Sequence, residues 1–152
     1  MSKTITAHTL VQNEEKYLWF SVMSIINYVD KIFIWDTGST DKTLDTINLL
    51  QKENPKKIYF KEVGGVDPNH FTSIRQQMLK ETNSDWLIIL DGDEVWWEER
   101  IKQVVEIINQ KGNELDTIAN RYINLIGDIY HYQSNSAGQY KIDGKKGFLT
   151  IR

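Results

Sequence analysis

Three carboxylates crowd one short stretch, Asp91, Asp93 and Glu94, with only Gly92 among them. They follow directly on the apolar run from Trp86 to Leu90. Like charges this close repel, and burying them unpaired costs several kcal/mol or more. Such a group persists where a cation or a charged ligand neutralises it, or where it is a solvated turn capping the next helix. Hard oxygen donors of this kind suit Mg²⁺ or Mn²⁺, ions that bind together with substrate phosphates. Two further polar clusters, Asn13-Glu14-Glu15 and Asp36-Thr37-Gly38-Ser39, also follow β-branched or apolar runs. The histidines His8, His70 and His131 are scattered and make no metal triad. Trp96 and Trp97, just after the acidic turn, offer faces for a sugar or nucleoside, or for the core.

The elements that must position these clusters are legible from periodicity. Residues 4–12 read as a first strand. Trp19, Val22, Met23 and Ile26, widened by Leu18 and Ile25, then repeat at helical spacing, with Asn13 as the expected N-cap. Residues 31–35 form a second buried strand, ending at Asp36. Ser39, Thr40 and Asp41 are N-cap candidates for a helix to about residue 52 with Leu44 and Ile47 inward, stopped by Asn54-Pro55. A third, more exposed strand covers 57–61, and residues 64–69 are a loop. Phe71, Ile74, Met78 and Leu79 mark a third helix. Residues 86–90 suit a strand buried on both faces inside the sheet, neighbouring the other three, so that Asp36 and Asp91 would end adjacent strands. Ile101, Val104, Val105 and Ile108 mark a fourth helix over 98–110, closed at Lys111-Gly112-Asn113 by an αL-type cap. Strands are expected over 116–126 and from Phe148, with a hairpin between them turning at Asp143-Gly144.

Strand and helix alternate four times. That alternation predicts an α/β fold, a Rossmann-like three-layer sandwich with a mostly parallel central sheet. Such a sheet brings the ends of its strands, and all three polar clusters, to one edge, where ligands bind.

The 152 residues are expected to form a single domain. A formal charge of −3 argues against a nucleic-acid polymer as partner. Without cysteine there is no disulfide or thiolate metal site. No run has the length of a signal peptide or membrane span, so the expectation is a soluble, cytoplasmic protein.

Four blocks resemble, in order and spacing, the signature of family 2 glycosyltransferases: residues 11–15, 35–43, 71–75 and 85–94. The likeness covers roughly residues 4–126. It implies the GT-A fold, a nucleotide-sugar donor, in this family commonly a UDP-sugar, and Mn²⁺ or Mg²⁺. It implies transfer to an acceptor hydroxyl, with the family's inverting habit, the acceptor being an unidentified glycan, lipid or protein. Matched to the family's blocks, Gln12, Asn13 and Glu15 fall in the segment lining the nucleoside pocket. Asp36 matches the aspartate that bonds the base, and Arg75 the arginine reaching toward the nucleotide. Asp91 and Asp93 match the D-x-D pair, in which Asp93 binds the metal and Asp91 faces the ribose or the metal shell. Gln76 and Gly92 depart from the family's usual residues without removing a ligand. The resemblance implies that the family's acceptor base lies further along than Arg152, which leaves the catalytic residue unknown, and the domain is expected to be truncated on its acceptor side. Glu94 is read as a supporting or structural carboxylate. One alternative is a nucleotide-sugar-binding fragment without transfer. Another is a haloacid-dehalogenase-like phosphatase, whose motif the stretch 88–95 also satisfies, with Asp91 as nucleophile and Asp93 as acid/base.

Overall fold

Apolar runs of strand length pair in parallel because the connections between them are long enough to hold a helix. The structure, a computed structural model, describes residues 2–65, 68–120, 122–133, 139–142 and 145–148. The chain gathers into two compact units, Met1–Asp116 and Thr117–Arg152. In the first unit the order is β1 (Ile5–Val11), α1 (Leu18–Ile25), β2 (Lys31–Asp36), α2 (Thr43–Glu53), β3 (Ile58–Glu62), α3 (Pro68–Glu81), β4 (Trp86–Ile89) and α4 (Glu98–Lys111). The four strands form one all-parallel sheet in the order β3-β2-β1-β4.

The chain therefore steps outward from β1 to β3 and then returns to the far side of β1. With right-handed crossovers, the two outward steps put α1 and α2 on one face and the return puts α3 on the other. The helix α4 packs against α1 and completes the first face. Alternation along the strands sends Ile5, Ala7, Val11, Ile32 and Ile34 toward that face, all at most 2% exposed. They meet Leu18, Val22, Ile25, Ile47, Leu50, Ile101 and Ile108, which are equally buried. This is the core.

Within this unit α3 is the helix on the opposite face. The position of β4 departs from expectation. The 86–90 segment joins the same parallel sheet, but it pairs with β1 alone, so among the described strands β4 lies at the edge instead of inside. Ile88 and Leu90 are buried, whereas Ile89, pointing to the α3 face, is 60% exposed. The strands β1 and β2, not β4, are flanked on both sides, and Asp36 and Asp91 end strands separated by β1.

Other departures have local causes. The helix α1 begins at Leu18, after a turn in which the Glu14 carbonyl accepts the Tyr17 and Leu18 N–H groups, and no side chain caps it. Its inner face is Leu18, Ser21, Val22 and Ile25, with Trp19 half-buried and Met23 toward solvent. Gly112 ends α4 with φ −63°, not in the left-handed region. Its value is space: a Cβ there would stand 2.8 Å from the Trp86 indole nitrogen.

In the second unit β5 (Leu125–Ile126) pairs antiparallel with β6 (Asp128–Tyr132), and β7 (Gln139–Ile142) with β8 (Lys145–Phe148). The strand expected over 116–126 shrinks to its last two residues, Leu125 and Ile126; just before them the Asn124 carbonyl accepts the Gln133 N–H at 2.8 Å. The hairpin is present, with Ile142 opposite Lys145; the turn expected at Asp143-Gly144 and residues 149–151 of the last expected strand lie outside the described residues. No helix among the described residues is long and apolar enough to cross a membrane.

Candidate functional site

The topological switch point lies between β1 and β4, where an open parallel sheet leaves a crevice at its carboxyl edge. Residues 12–15 leave β1 on one side of it and residues 91–94 leave β4 on the other. The two meet tightly. A Cβ on Gly92 would fall 2.8 Å from Glu14 Cγ and 3.1 Å from Val11 Cγ1, so the glycine is required by the approach of the first strand's exit loop.

On the β2 side, residues 37–42 are built around a buried carboxylate. Asp36 is 3% exposed, and its Oδ2 accepts the N–H groups of Gly38 at 2.8 Å and Ser39 at 2.9 Å. Its Oδ1 accepts the Ser39 hydroxyl. Gly38 takes φ 95°, which a residue with a side chain rarely adopts, and the backbone of Gly65 presses against it.

The loop that leads into α2 leaves main-chain donors of its own, and they are met mainly from the loop after β1. Asn13 Oδ1 accepts the Thr40 N–H at 2.8 Å, and Glu15 Oε2 accepts the Lys42 N–H at 3.0 Å. Ser39 Oγ receives the Asn13 N–H, and Gln12 Nε2 donates to the Thr37 carbonyl at 3.3 Å. Of the three expected caps, only Asp41 bonds a residue of α2, accepting the Thr43 N–H at 3.0 Å. Asn13 is thus not the N-cap of α1; it sits at φ 59° and bonds Ser39 and Thr40 in the loop before α2. Gln12, Asn13, Glu15 and Asp36 therefore form one interlocked platform. Sequence reasoning grouped these residues and missed this interlock, because each bond joins positions some 25 residues apart.

Across the crevice, Arg75 from α3 approaches Asp91, its Nη2 lying 3.5 Å from Oδ1. Its other terminal nitrogen, Nη1, is buried and has no hydrogen-bond partner among the described residues. Burial lowers the pKa of this guanidinium, and the Asp91 charge only partly offsets that. An anion against Nη1 would remove the deficit. The loop after β4 is closed on itself: Glu94 Oε2 accepts the Asp91 N–H, and the Asp91 carbonyl accepts the Glu94 N–H at 3.1 Å. That assigns Glu94 a structural part. Asp93 is exposed at the crest of the turn. Among the described residues no three His, Asp or Glu side chains gather closely enough to hold an ion by themselves.

His8, on the α3 face of β1, lies under this arrangement. Its Nε2 is 2.5 Å from Thr82 Oγ1, whose own proton goes to the Met78 carbonyl, so Nε2 is the protonated nitrogen. Burial above all, and the nearby Arg75 charge, push its pKa from 6.5 down to about 4. The folded protein holds His8 neutral, whereas the unfolded chain takes up a proton near pH 6.5. Stability from this group is whole above pH 6.5 and is lost as pH falls toward 4. Urea unfolding at pH 8 and pH 5 is expected to differ by about 2 kcal/mol from this term, and His8→Phe should remove the difference. An unchanged difference in that variant would refute the assignment.

A parallel sheet in the order β3-β2-β1-β4, with an acidic turn at its switch-point edge, is the α/β architecture of the GT-A fold. The chain belongs to glycosyl transferase family 2, whose family model matches residues 7–151. Among curated proteins it is similar to the SPbeta prophage-derived glycosyltransferase SunS of Bacillus subtilis (strain 168) and to glycosyltransferase SunS of Bacillus phage SPbeta. Each is 24% identical over 153 residues, covering 95% of this chain and 33% of theirs. The chain thus spans about a third of the length of these relatives. Among solved structures it is similar in fold to M. tuberculosis glucosyl-3-phosphoglycerate synthase (TM-score 0.53, 21% identity, 71% of this chain and 42% of that one). The same enzyme in complex with Mn²⁺, UDP-glucose and phosphoglyceric acid matches with TM-score 0.52 and 19% identity over 71% of this chain and 40% of that one. The phosphatase reading is overturned: the family is another one, and Asp91 follows the fourth strand where that chemistry needs the first.

Proposed function

We propose that this chain carries the donor site of a glycosyltransferase that takes a UDP-sugar with Mn²⁺ or Mg²⁺ and passes the sugar, with inversion, to an acceptor hydroxyl. The observation that carries the reading is the buried Nη1 of Arg75, without a hydrogen-bond partner among the described residues, beside Asp91 at the edge where a nucleotide would lie. Arg75 is the group for the diphosphate. The platform of Gln12, Asn13 and Glu15 shapes the nucleoside pocket. Asp36 spends three acceptor sites on its own loop. A carboxylate has about four, which leaves one for the N–H of a uracil ring. Asp93, with Asp91 beside it, presents hard oxygen donors to a divalent ion, and so small a donor set fits an ion that draws its remaining ligands from phosphate and water. Such an ion, when bound, neutralises charge that develops on the departing diphosphate. Both units belong to one transferase domain in this reading, supported by a family match that runs across both.

Arg75→Ala tests it. UDP should bind about tenfold more weakly, the loss of a charge-assisted contact worth about 1.5 kcal/mol. Uridine, which lacks the phosphates, should be unaffected, and Arg75→Lys should recover only part of the loss, because lysine lacks the planar fork. Calorimetry giving parental UDP affinity in Arg75→Ala would overturn the reading.

A further inference from the structure

The turn that bears the paired aspartates is gripped by two serines that the donor site does not account for. Ser21 and Ser24 stand three residues apart on α1. Ser21 is fully buried, and its Oγ donates to the main-chain carbonyl of Asp91 at 2.8 Å. Ser24 Oγ donates to the Ser21 carbonyl at 2.6 Å and accepts the Trp96 N–H at 3.1 Å. The pair thus holds both ends of residues 91–96 against a single turn of helix.

Nothing in α1 itself calls for them. Ser21 lies among Leu18, Val22 and Ile25 on the apolar face, where alanine has the better helix propensity and leaves no hydroxyl to satisfy. The Asp91 carbonyl is already satisfied by the Glu94 N–H, so Ser21 is not there to rescue an orphan acceptor. What it adds is orientation. The internal bonds of residues 91–94 fix the shape of the turn, while Ser21, Ser24 and the wedging of Gly92 against Val11 and Glu14 fix its attitude toward the sheet.

We infer that Ser21 and Ser24 are positioning residues that aim the Asp91 and Asp93 carboxylates at a divalent ion shared with a nucleoside diphosphate. Mn²⁺ and Mg²⁺ tolerate little error in ligand placement, and loosening the shell behind a ligand weakens metal affinity about 10- to 100-fold. The inference rests on the donor-site reading, and its test separates the two.

The full chain is titrated with UDP, with and without Mn²⁺, as parent, Ser21→Ala, Ser24→Ala and Ser24→Thr, with the melting temperature of each recorded. In the parent Mn²⁺ should tighten UDP binding. In Ser21→Ala that gain should shrink about tenfold, the loss falling on the Mn²⁺-dependent part of the affinity. Ser24→Ala should move the same way, and Ser24→Thr, which keeps the hydroxyl, should restore the gain. If Ser21→Ala does not fold, the Ser24 pair decides. Equal gain in parent and alanine variants overturns the inference and leaves the donor site standing. A melting temperature that drops while the Mn²⁺ gain stays parental assigns the serines a purely structural part and overturns it too. A parent with no Mn²⁺ gain refutes the donor-site reading, and the inference falls with it.

Discussion

Asp36→Ala is expected to cost about 3–4 kcal/mol of stability, since each unmet buried donor costs about 1–3 kcal/mol. The substitution strands the N–H groups of Gly38 and Ser39 and the Ser39 hydroxyl, all of which bond the carboxylate. It also strips an interlock, because Ser39 Oγ in turn receives the Asn13 N–H. The melting temperature should fall by about 10 °C or more. Asp36→Asn keeps an acceptor for one side of the loop and should lose roughly a third of that, about 1 kcal/mol. UDP affinity in Asp36→Ala should fall as the platform loosens. A variant that melts within about 2 °C of the parent would show that residues 37–42 hold their shape without this carboxylate.

The prominence of Asp36 was legible in the sequence; its main employment was not. A carboxylate after an apolar run reads as a ligand group, and only the fold shows that its oxygens turn back on Gly38 and Ser39. The same holds for Asn13, expected to cap α1, and for Glu15; both bond the loop that leads into α2. They precede α1 in sequence, but in space the donors of that loop are nearer, and a parallel sheet is what brings them there. Strand and helix identity through residue 111 came from periodicity, which is a local property. The edge position of β4 did not, because an apolar run says what a strand could bury and not what covers it. Ser21 and Ser24 gave no signal as a pair: serines three apart on an amphipathic helix look like a break in its apolar face until Asp91 and Trp96 are placed against them.

The second large effect concerns the metal. Asp91 faces Arg75 and Asp93 is exposed, and the described residues gather no set of three ligands. An octahedral ion takes about six oxygens, so most must come from water and from a diphosphate. Metal and UDP should therefore bind with positive coupling, each raising the affinity of the other by the same factor, roughly 100-fold at the upper end of the usual range. Asp93→Asn should bring that factor to near one while the fold stays intact, because removing one charge from the Asp91, Asp93 and Glu94 group relieves repulsion. Calorimetric titration of UDP into the parent, with and without Mn²⁺, is the direct test. The donor-site account predicts much tighter binding with the ion and loss of that gain in Asp93→Asn; equal UDP affinities in the parent would mean that residues 91–93 are only a solvated turn.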